Sequence, residues 1–294
     1  MAEKIVITGI TGFIGGIVAE GLSRKGYSVT GISRGIRPGR FYDAAGWENL
    51  DAAVEGAAAV INLAGENIAS GLWTKKKQEL ILKSRVEAGR RVAEAVRRAA
   101  VKPGVLIQPS AAGYYGNSGD AEVVEASPAG DTFLSRVCTE WEDSVQGAGV
   151  RTCIARLGVV LGKGGFLEKY SIPFKFYAGA VFGNGRQYIS WISDEDLAAV
   201  FEMMIIKRDM QGAYNVCAPI PAANREFAFI YGRAVKRPVL LSIPSFALKA
   251  VLGRLADEMF LGGQRAVPER LLREGFSFKH KTAESAVEAA LKTE

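Results

Sequence analysis

The sequence predicts an α/β protein: a Rossmann-type doubly wound parallel sheet with a smaller C-terminal region covering a substrate site. Three observations carry this. Short apolar runs alternate with longer amphipathic ones through the first half, and a glycine-spaced turn follows the first apolar run. After residue 162 the texture changes, and glycines gather among aromatics. Strands alternating with helices imply parallel βαβ units.

Taken in order, residues 4–8 (KIVIT) read as a buried strand. Residues 13–25 read as a helix with Ile14, Val18 and Leu22 four apart on one face, stopped at Gly26. Strands follow at 27–32, 58–63 and 105–108. Between the last two lies a long helix, 75–100, with Leu80, Ile81, Ala88, Val92, Ala95 and Ala99 on its buried side. Lys75, Lys76, Lys77, Arg90, Arg91, Arg97 and Arg98 form its solvated face. Residues 153–161 read as one further strand and 214–217 as another, while 164–192 read as loops and small elements over a pocket. Helices are expected at 225–236, 245–256 and 283–292, and the acids of Ser193-Asp194-Glu195-Asp196 are expected to cap one at 196–206. The division is a nucleotide-binding domain over 1–163, with a returning segment at about 190–217, and a covering region over 164–294.

The 294 residues are 48% hydrophobic and carry a formal charge of +6, which suits anionic ligands such as nucleotides but sets no partner alone. Cys138, Cys153 and Cys217 make no CxxC pair and no metal-ligand spacing, so no metal is expected, and sparse thiols suit a cytoplasmic compartment. The start lacks a signal-peptide pattern, and no apolar run approaches the roughly 18 residues of a spanning helix, so no membrane association is expected. The basic helix face has no recognition motif or interleaved aromatics, which argues against nucleic acid. The expected partner is a small-molecule substrate, bound by a monomer or homodimer.

Gly9, Gly12 and Gly15 form G-x-x-G-x-x-G directly after the first strand and open the first helix. Gly9 permits the sharp turn, Gly12 lets backbone approach a pyrophosphate, and Gly15 lets helix pack on sheet. The phosphates then meet free N–H groups at the positive end of a helix dipole. An NAD site places an acid at the end of the second strand for the ribose hydroxyls. Here Ser33-Arg34 stand there, with Arg37 nearby and no acid until Asp43, which suits a 2′-phosphate and hence NADP(H).

Thr8-Gly9-Ile10-Thr11-Gly12-Phe13-Ile14-Gly15 resembles the fingerprint of extended short-chain dehydrogenases/reductases, and Asn62-Leu63-Ala64-Gly65 resembles their N-x-A-G element. Further stretches narrow the resemblance. They are Gly65-Glu66-Asn67-Ile68-Ala69, Ser110-Ala111-Ala112-Gly113-Tyr114-Tyr115-Gly116, Arg156-Leu157-Gly158-Val159-Val160-Leu161-Gly162, Ser190-Trp191-Ile192 and Pro268-Glu269-Arg270-Leu271-Leu272. They are similar to the atypical epimerase-family group related to bacterial YfcH and human short-chain dehydrogenase 39U, across essentially the whole chain and including its C-terminal segment. The resemblance implies that Gly9, Thr11, Gly12, Phe13, Ile14 and Gly15 cradle the pyrophosphate. It implies Ser33 and Arg34 on the 2′-phosphate, Leu63, Ala64 and Gly65 beside the adenosine half, and Arg85 and Ser110 among the cofactor contacts.

Members of that superfamily use Ser, Tyr and Lys, with Tyr and Lys four apart on one helix face. Laid on this chain, with Ser135 and Glu140 matching flanking positions, the Tyr falls on Thr132, the Lys on Arg136 and the Ser on Ala111. A Thr hydroxyl is a far poorer proton donor than a phenol, and Arg136 holds its charge but cannot act as a general acid. Tyr115, Tyr114, Glu66, Arg136 and Asp131 remain as catalytic candidates. Cys138 lacks a visible activating base, and His280, the single histidine, is expected at the surface. Arg186 would clamp an anionic substrate group and Trp191 would stack on a ring. The implied function is an atypical NADP-dependent reductase or epimerase-like oxidoreductase acting on a small polar or sugar-like substrate. The alternative is a catalytically silent NADP(H)-binding sensor or scaffold.

Overall fold

The computed structural model describes residues 2–292. Seven parallel strands form the central sheet: β1 (Lys4–Thr8), β2 (Ser28–Ile32), β3 (Asp43–Ala45), β4 (Ala59–Asn62), β5 (Leu106–Ala111), β6 (Thr152–Leu157) and β7 (Gly212–Val216). Their spatial order is β7-β6-β5-β4-β1-β2-β3. The order reverses beside β1, which leaves a crevice at the carboxyl edge of β1 and β4 where ligands of open α/β sheets sit.

Every second residue of a strand faces the same side, so each strand feeds both faces. Ile5, Ile7, Ala59, Ile61, Ile107 and Ala155 pack with helices α1 (Phe13–Arg24) and α2 (Asp194–Ile206). Val6, Val60 and Leu106 pack on the opposite face with Val92, Ala93 and Val96 of α3 (Lys75–Arg98). On α3, Ile81, Ala88, Val92, Ala95 and Ala99 are buried as expected, but Leu80 is 47% exposed. The 3.6-residue period puts Ile81 on the stripe that continues through Ala88 and Val92, and swings Leu80 about 100° off it.

The expected single strand over 153–161 is two. The chain leaves the sheet at Gly158, whose backbone lies so close to Ser190 that a Cβ there would meet its carbonyl oxygen at 2.8 Å. Val159–Leu161 then pairs in parallel with Trp191–Ser193 outside the main sheet. The stretch expected as loops contains helix α4 (Gly165–Lys175) and strand Gly179–Phe182, the latter paired with Val239–Ile243. Its opening glycines and internal Pro173 mask the helical pattern. Helices α5 (Asn224–Ala234) and α6 (Ala283–Lys292) pack on α4 around Phe174, Phe227, Tyr231 and Val287.

His280 is not a surface residue. It is 8% exposed, its Nε2 is 2.9 Å from Glu195 Oε2, and its backbone N–H donates to Asp196 Oδ2 at 3.0 Å. Asp196 also accepts from Lys279 N and Ser193 Oγ, so the C-terminal segment is tied to the first turn of α2. That helix begins at Asp194, two residues before the expected start, and its cap is the Ser193 hydroxyl, which accepts from Asp196 N; the acids expected to cap it, Asp194, Glu195 and Asp196, lie in its first turn. No helix among the described residues is long and apolar enough to cross a membrane.

Candidate functional site

The nucleotide turn joins β1 to α1. Gly9 has φ +68°, and a Cβ on it would meet Leu63 O at 2.5 Å; a Cβ on Gly15 would meet Gly9 O at 2.7 Å. Both positions are closed to larger residues by neighbouring backbone, not by side chains that can move. Gly12 is the N-cap of α1, with no side-chain cap and no acid in the first turn. The first-turn amides are therefore open to an external anion, which the helix dipole favours. Thr11 and Gly12 are exposed, and Phe13 and Ile14 are half-buried.

A buried polar row fixes the neighbouring loop. Thr8 Oγ1 donates to Asn62 Oδ1 at 2.7 Å, Asn62 Nδ2 to Gln108 Oε1 at 2.9 Å, and Ala64 N to Thr8 Oγ1 at 3.3 Å. Leu63, Ala64 and Gly65 are thereby set beside Gly9. Arg85 supports the same loop from below. Its Nη1 donates to Glu66 O at 2.9 Å and Ile81 O at 3.1 Å, its guanidinium lies against Gly65, and it sits over the Trp141 ring at 5.1 Å. Burial lowers its pKa from the ordinary arginine value. Glu66 pairs with Lys77 Nζ at 2.6 Å, and Lys77 also donates to Ser70 Oγ.

At the end of β2 the Ser33 side chain is buried and its Oγ donates to Gly35 O at 2.6 Å, which turns the chain outward. Arg34 and Arg37 follow on an exposed loop without ion-pair partners among the described residues.

The catalytic end is built differently. Helix α7 (Phe133–Asp143) starts at Thr132, whose hydroxyl accepts from Ser135 N at 3.2 Å and lies 2.8 Å from Ser135 Oγ. Ser135 Oγ gives its single proton to Gly113 O, so the Thr132 proton points to Ser135. Thr132 thus serves as a helix cap. Arg136, one turn on, is exposed and 3.8 Å from Glu140. Asp131 is exposed.

Ser110, Arg156 and Asn215 align in register across β5, β6 and β7. Arg156 makes a bidentate pair with Glu142, both bonds at 2.9 Å, and Ser110 Oγ donates to the same carboxylate at 2.7 Å. Arg156 also donates to Tyr115 OH at 3.0 Å, and Tyr115 donates to Asn215 Oδ1 at 2.6 Å. Burial pushes the Tyr115 phenol up to about 12, against the opposing pull of Arg156. Tyr115 is thus held by both neighbours of its hydroxyl, and Ser110 is 2% exposed. Tyr114 differs: its ring lies 3.4 Å from Arg156 Cζ, it is half-buried, and its hydroxyl makes no hydrogen bond among the described residues. The Cys138 thiol is buried and pushed up to about 11 by that burial, which leaves it a poor nucleophile.

Trp191 is fully buried with Nε1 donating to Ile220 O at 3.0 Å, so it cannot stack on a ligand ring; its apolar surroundings in the α4–α5 core claimed it. Arg186 is exposed and 3.2 Å from Asp120. Sequence reasoning missed the Glu142–Arg156 pair, because a helix residue and a strand residue that meet only when the helix packs on the sheet leave no spacing signal. The same holds for Glu258, whose carboxylate sits on the first amides of α7.

Comparison with known proteins agrees with this geometry. Residues 5–217 match the model of the NAD dependent epimerase/dehydratase family, and 243–290 match a domain of unknown function, DUF1731. An epimerase family protein of Mycobacterium leprae is 38% identical over 294 residues, spanning 97% of this chain and 95% of that one. Human epimerase family protein SDR39U1 is 35% identical over 282 residues, spanning 94% and 95%. The crystal structure of human SDR39U1 isoform 2 with NADPH superposes with a TM-score of 0.91 at 33% identity, covering 98% of this chain and 99% of that one.

Proposed function

The chain belongs to the NAD dependent epimerase/dehydratase family, and from that premise we propose that it is an NADP(H)-binding, atypical oxidoreductase of the short-chain dehydrogenase type. The observation that carries the reading is the uncapped first turn of α1 behind Gly9, beside an exposed Arg34 where an NAD site holds an acid. The solved relative bound to NADPH supports it. Gly9, Thr11, Gly12, Phe13, Ile14 and Gly15 hold the pyrophosphate, Arg34 meets the 2′-phosphate with Ser33 shaping its loop, and Leu63, Ala64 and Gly65 flank the adenosine half. Arg85 holds that flanking loop in place, and in this reading Arg136 binds the nicotinamide ribose.

The bound cofactor supplies or accepts hydride at its nicotinamide; the protein orients it and stabilises charge. Of the hydroxyl candidates, Thr132 is a cap and Tyr115 is locked between Arg156 and Asn215, so Tyr114 is the proton donor of this reading. The substrate is a small carbonyl or sugar-like compound. The division into a nucleotide domain over 1–163, a returning segment and a covering region over 164–294 is part of the same reading. A screen for NADPH consumption across carbonyl compounds tests it: turnover that Arg34→Glu abolishes supports the enzyme. The Thr132 cap favours a second reading, a silent NADP(H)-binding sensor, and NADPH binding without turnover on any compound of the panel selects it.

A further inference from the structure

The C-terminal region reaches back to the catalytic end through one short segment. After the helix Ser245–Leu252 the chain turns at Gly253, with φ +56°, runs through Arg254–Ala256, and makes a π-helical turn over Asp257–Leu261 before Gly262 and Gly263. None of residues 257–261 is fully buried along its whole surface, yet the Glu258 side chain is 6% exposed. Its two oxygens accept from Phe133 N at 3.1 Å and Leu134 N at 2.7 Å, and Arg254 Nε lies 3.3 Å away. Those amides are the first of α7, immediately after Thr132. Leu255 is buried in one apolar cluster with Trp73 and Phe133, whose rings meet edge-on at 5.4 Å. On the far side Phe260 meets Phe182 edge-on at 5.2 Å, and its carbonyl accepts from Gln187 Nε2.

The segment therefore spans from the start of α7 to the strand Gly179–Phe182. Its Glu258 end is bonded to the two residues that directly follow Thr132, the position where the resemblance puts the proton donor. It is flanked by glycines at both ends, and a π turn of this kind is rare and found mostly at functional positions. One carboxylate on two amides fastens it. We propose that residues 254–261 are a lid over the substrate end of the cleft, latched by Glu258 onto the first turn of α7, and that this closure is a role of the C-terminal region. That the covered end is the substrate end rests on the functional reading above; the latch itself does not.

Hydrogen exchange followed by mass spectrometry on the full-length protein without cofactor tests the latch. In the wild type, amides 133–134 and the segment 254–261 open together, faster than residues 137–141 of the same helix. Glu258→Ala speeds exchange of both regions by about tenfold or more, the loss expected when hydrogen bonds to a charged group are removed, and leaves residues 5–32 unchanged. Leu255→Ala, which leaves the carboxylate in place, loosens the same two regions. Exchange of 254–261 only through global unfolding, or a Glu258→Ala effect spread evenly over the chain, overturns the lid and makes Glu258 a structural cap. An NADPH titration of Glu258→Ala separates the two readings: loss of binding in the wild type as well would sink the cofactor site and leave the exchange result standing.

Discussion

The two ends of the cleft use their polar atoms in opposite ways. At the nucleotide end the donors are left open: the first turn of α1 has no side-chain cap, and Arg34 stands exposed without an ionic partner among the described residues. At the catalytic end the polar groups satisfy one another. Thr132 bonds Ser135, Ser110 and Arg156 share Glu142, Tyr115 bridges Arg156 and Asn215, and Glu258 covers the first amides of α7. Open donors are what an anionic ligand needs, while a closed network holds a scaffold in one arrangement. One end of the cleft thus leaves donors free for an anion, while the other has its polar groups already paired with one another.

Four tests break or sharpen that contrast, starting with the largest effect. Arg156→Met leaves the Glu142 carboxylate buried without its partner, and thermal or denaturant unfolding is expected to show a loss of about 3–5 kcal/mol. A loss under 1 kcal/mol would mean the network is not structural. Gly9→Ala forces a side chain into the left-handed region against Leu63 O; strain of about 1–3 kcal/mol is expected along with loss of NADPH binding in a fluorescence titration. Tyr115→Phe removes only the bond to Asn215 and the acceptor for Arg156. It is expected to cost about 1–3 kcal/mol of stability while leaving NADPH affinity unchanged, whereas a drop of about 10²-fold or more in any turnover would restore Tyr115 as the acid/base.

The smallest effect is at high pH. The Tyr115 phenol is held up at about 12 in the fold against an ordinary 10.0, so the folded state keeps its proton longer than the unfolded chain. Its stabilising contribution is complete below pH 10 and is lost as pH rises from 10 towards 12. Unfolding curves of wild type and Tyr115→Phe should converge over that window; parallel curves would contradict the buried phenol.

The nucleotide half was legible because its signals are local. Gly9, Gly12 and Gly15 sit in a strand–turn–helix whose geometry admits few alternatives, and the apolar runs around it have clear periods. Boundaries failed where tertiary contact overrode local pattern: Gly158 breaks a run of apolar residues because Ser190 passes behind it, and α4 forms despite Pro173. His280 illustrates the same limit, since its burial depends on Asp196 and Glu195, over eighty residues away. The catalytic end was legible only as a substitution pattern. Thr132 and Arg136 show that the usual groups are missing, but strand register brought Ser110, Arg156 and Asn215 into one row, and no spacing announces that.

The open donors of the nucleotide turn and Arg34 are proposed to make an NADP(H) site. Titrating the purified protein with NADPH and with NADH, alongside Arg34→Ala, tests it most directly. NADPH is expected to bind more tightly than NADH, with Arg34→Ala weakening NADPH by about 10- to 100-fold, the range for a hydrogen bond to a charged group, and leaving NADH unchanged. Equal affinity for the two cofactors, or binding of neither, would contradict it.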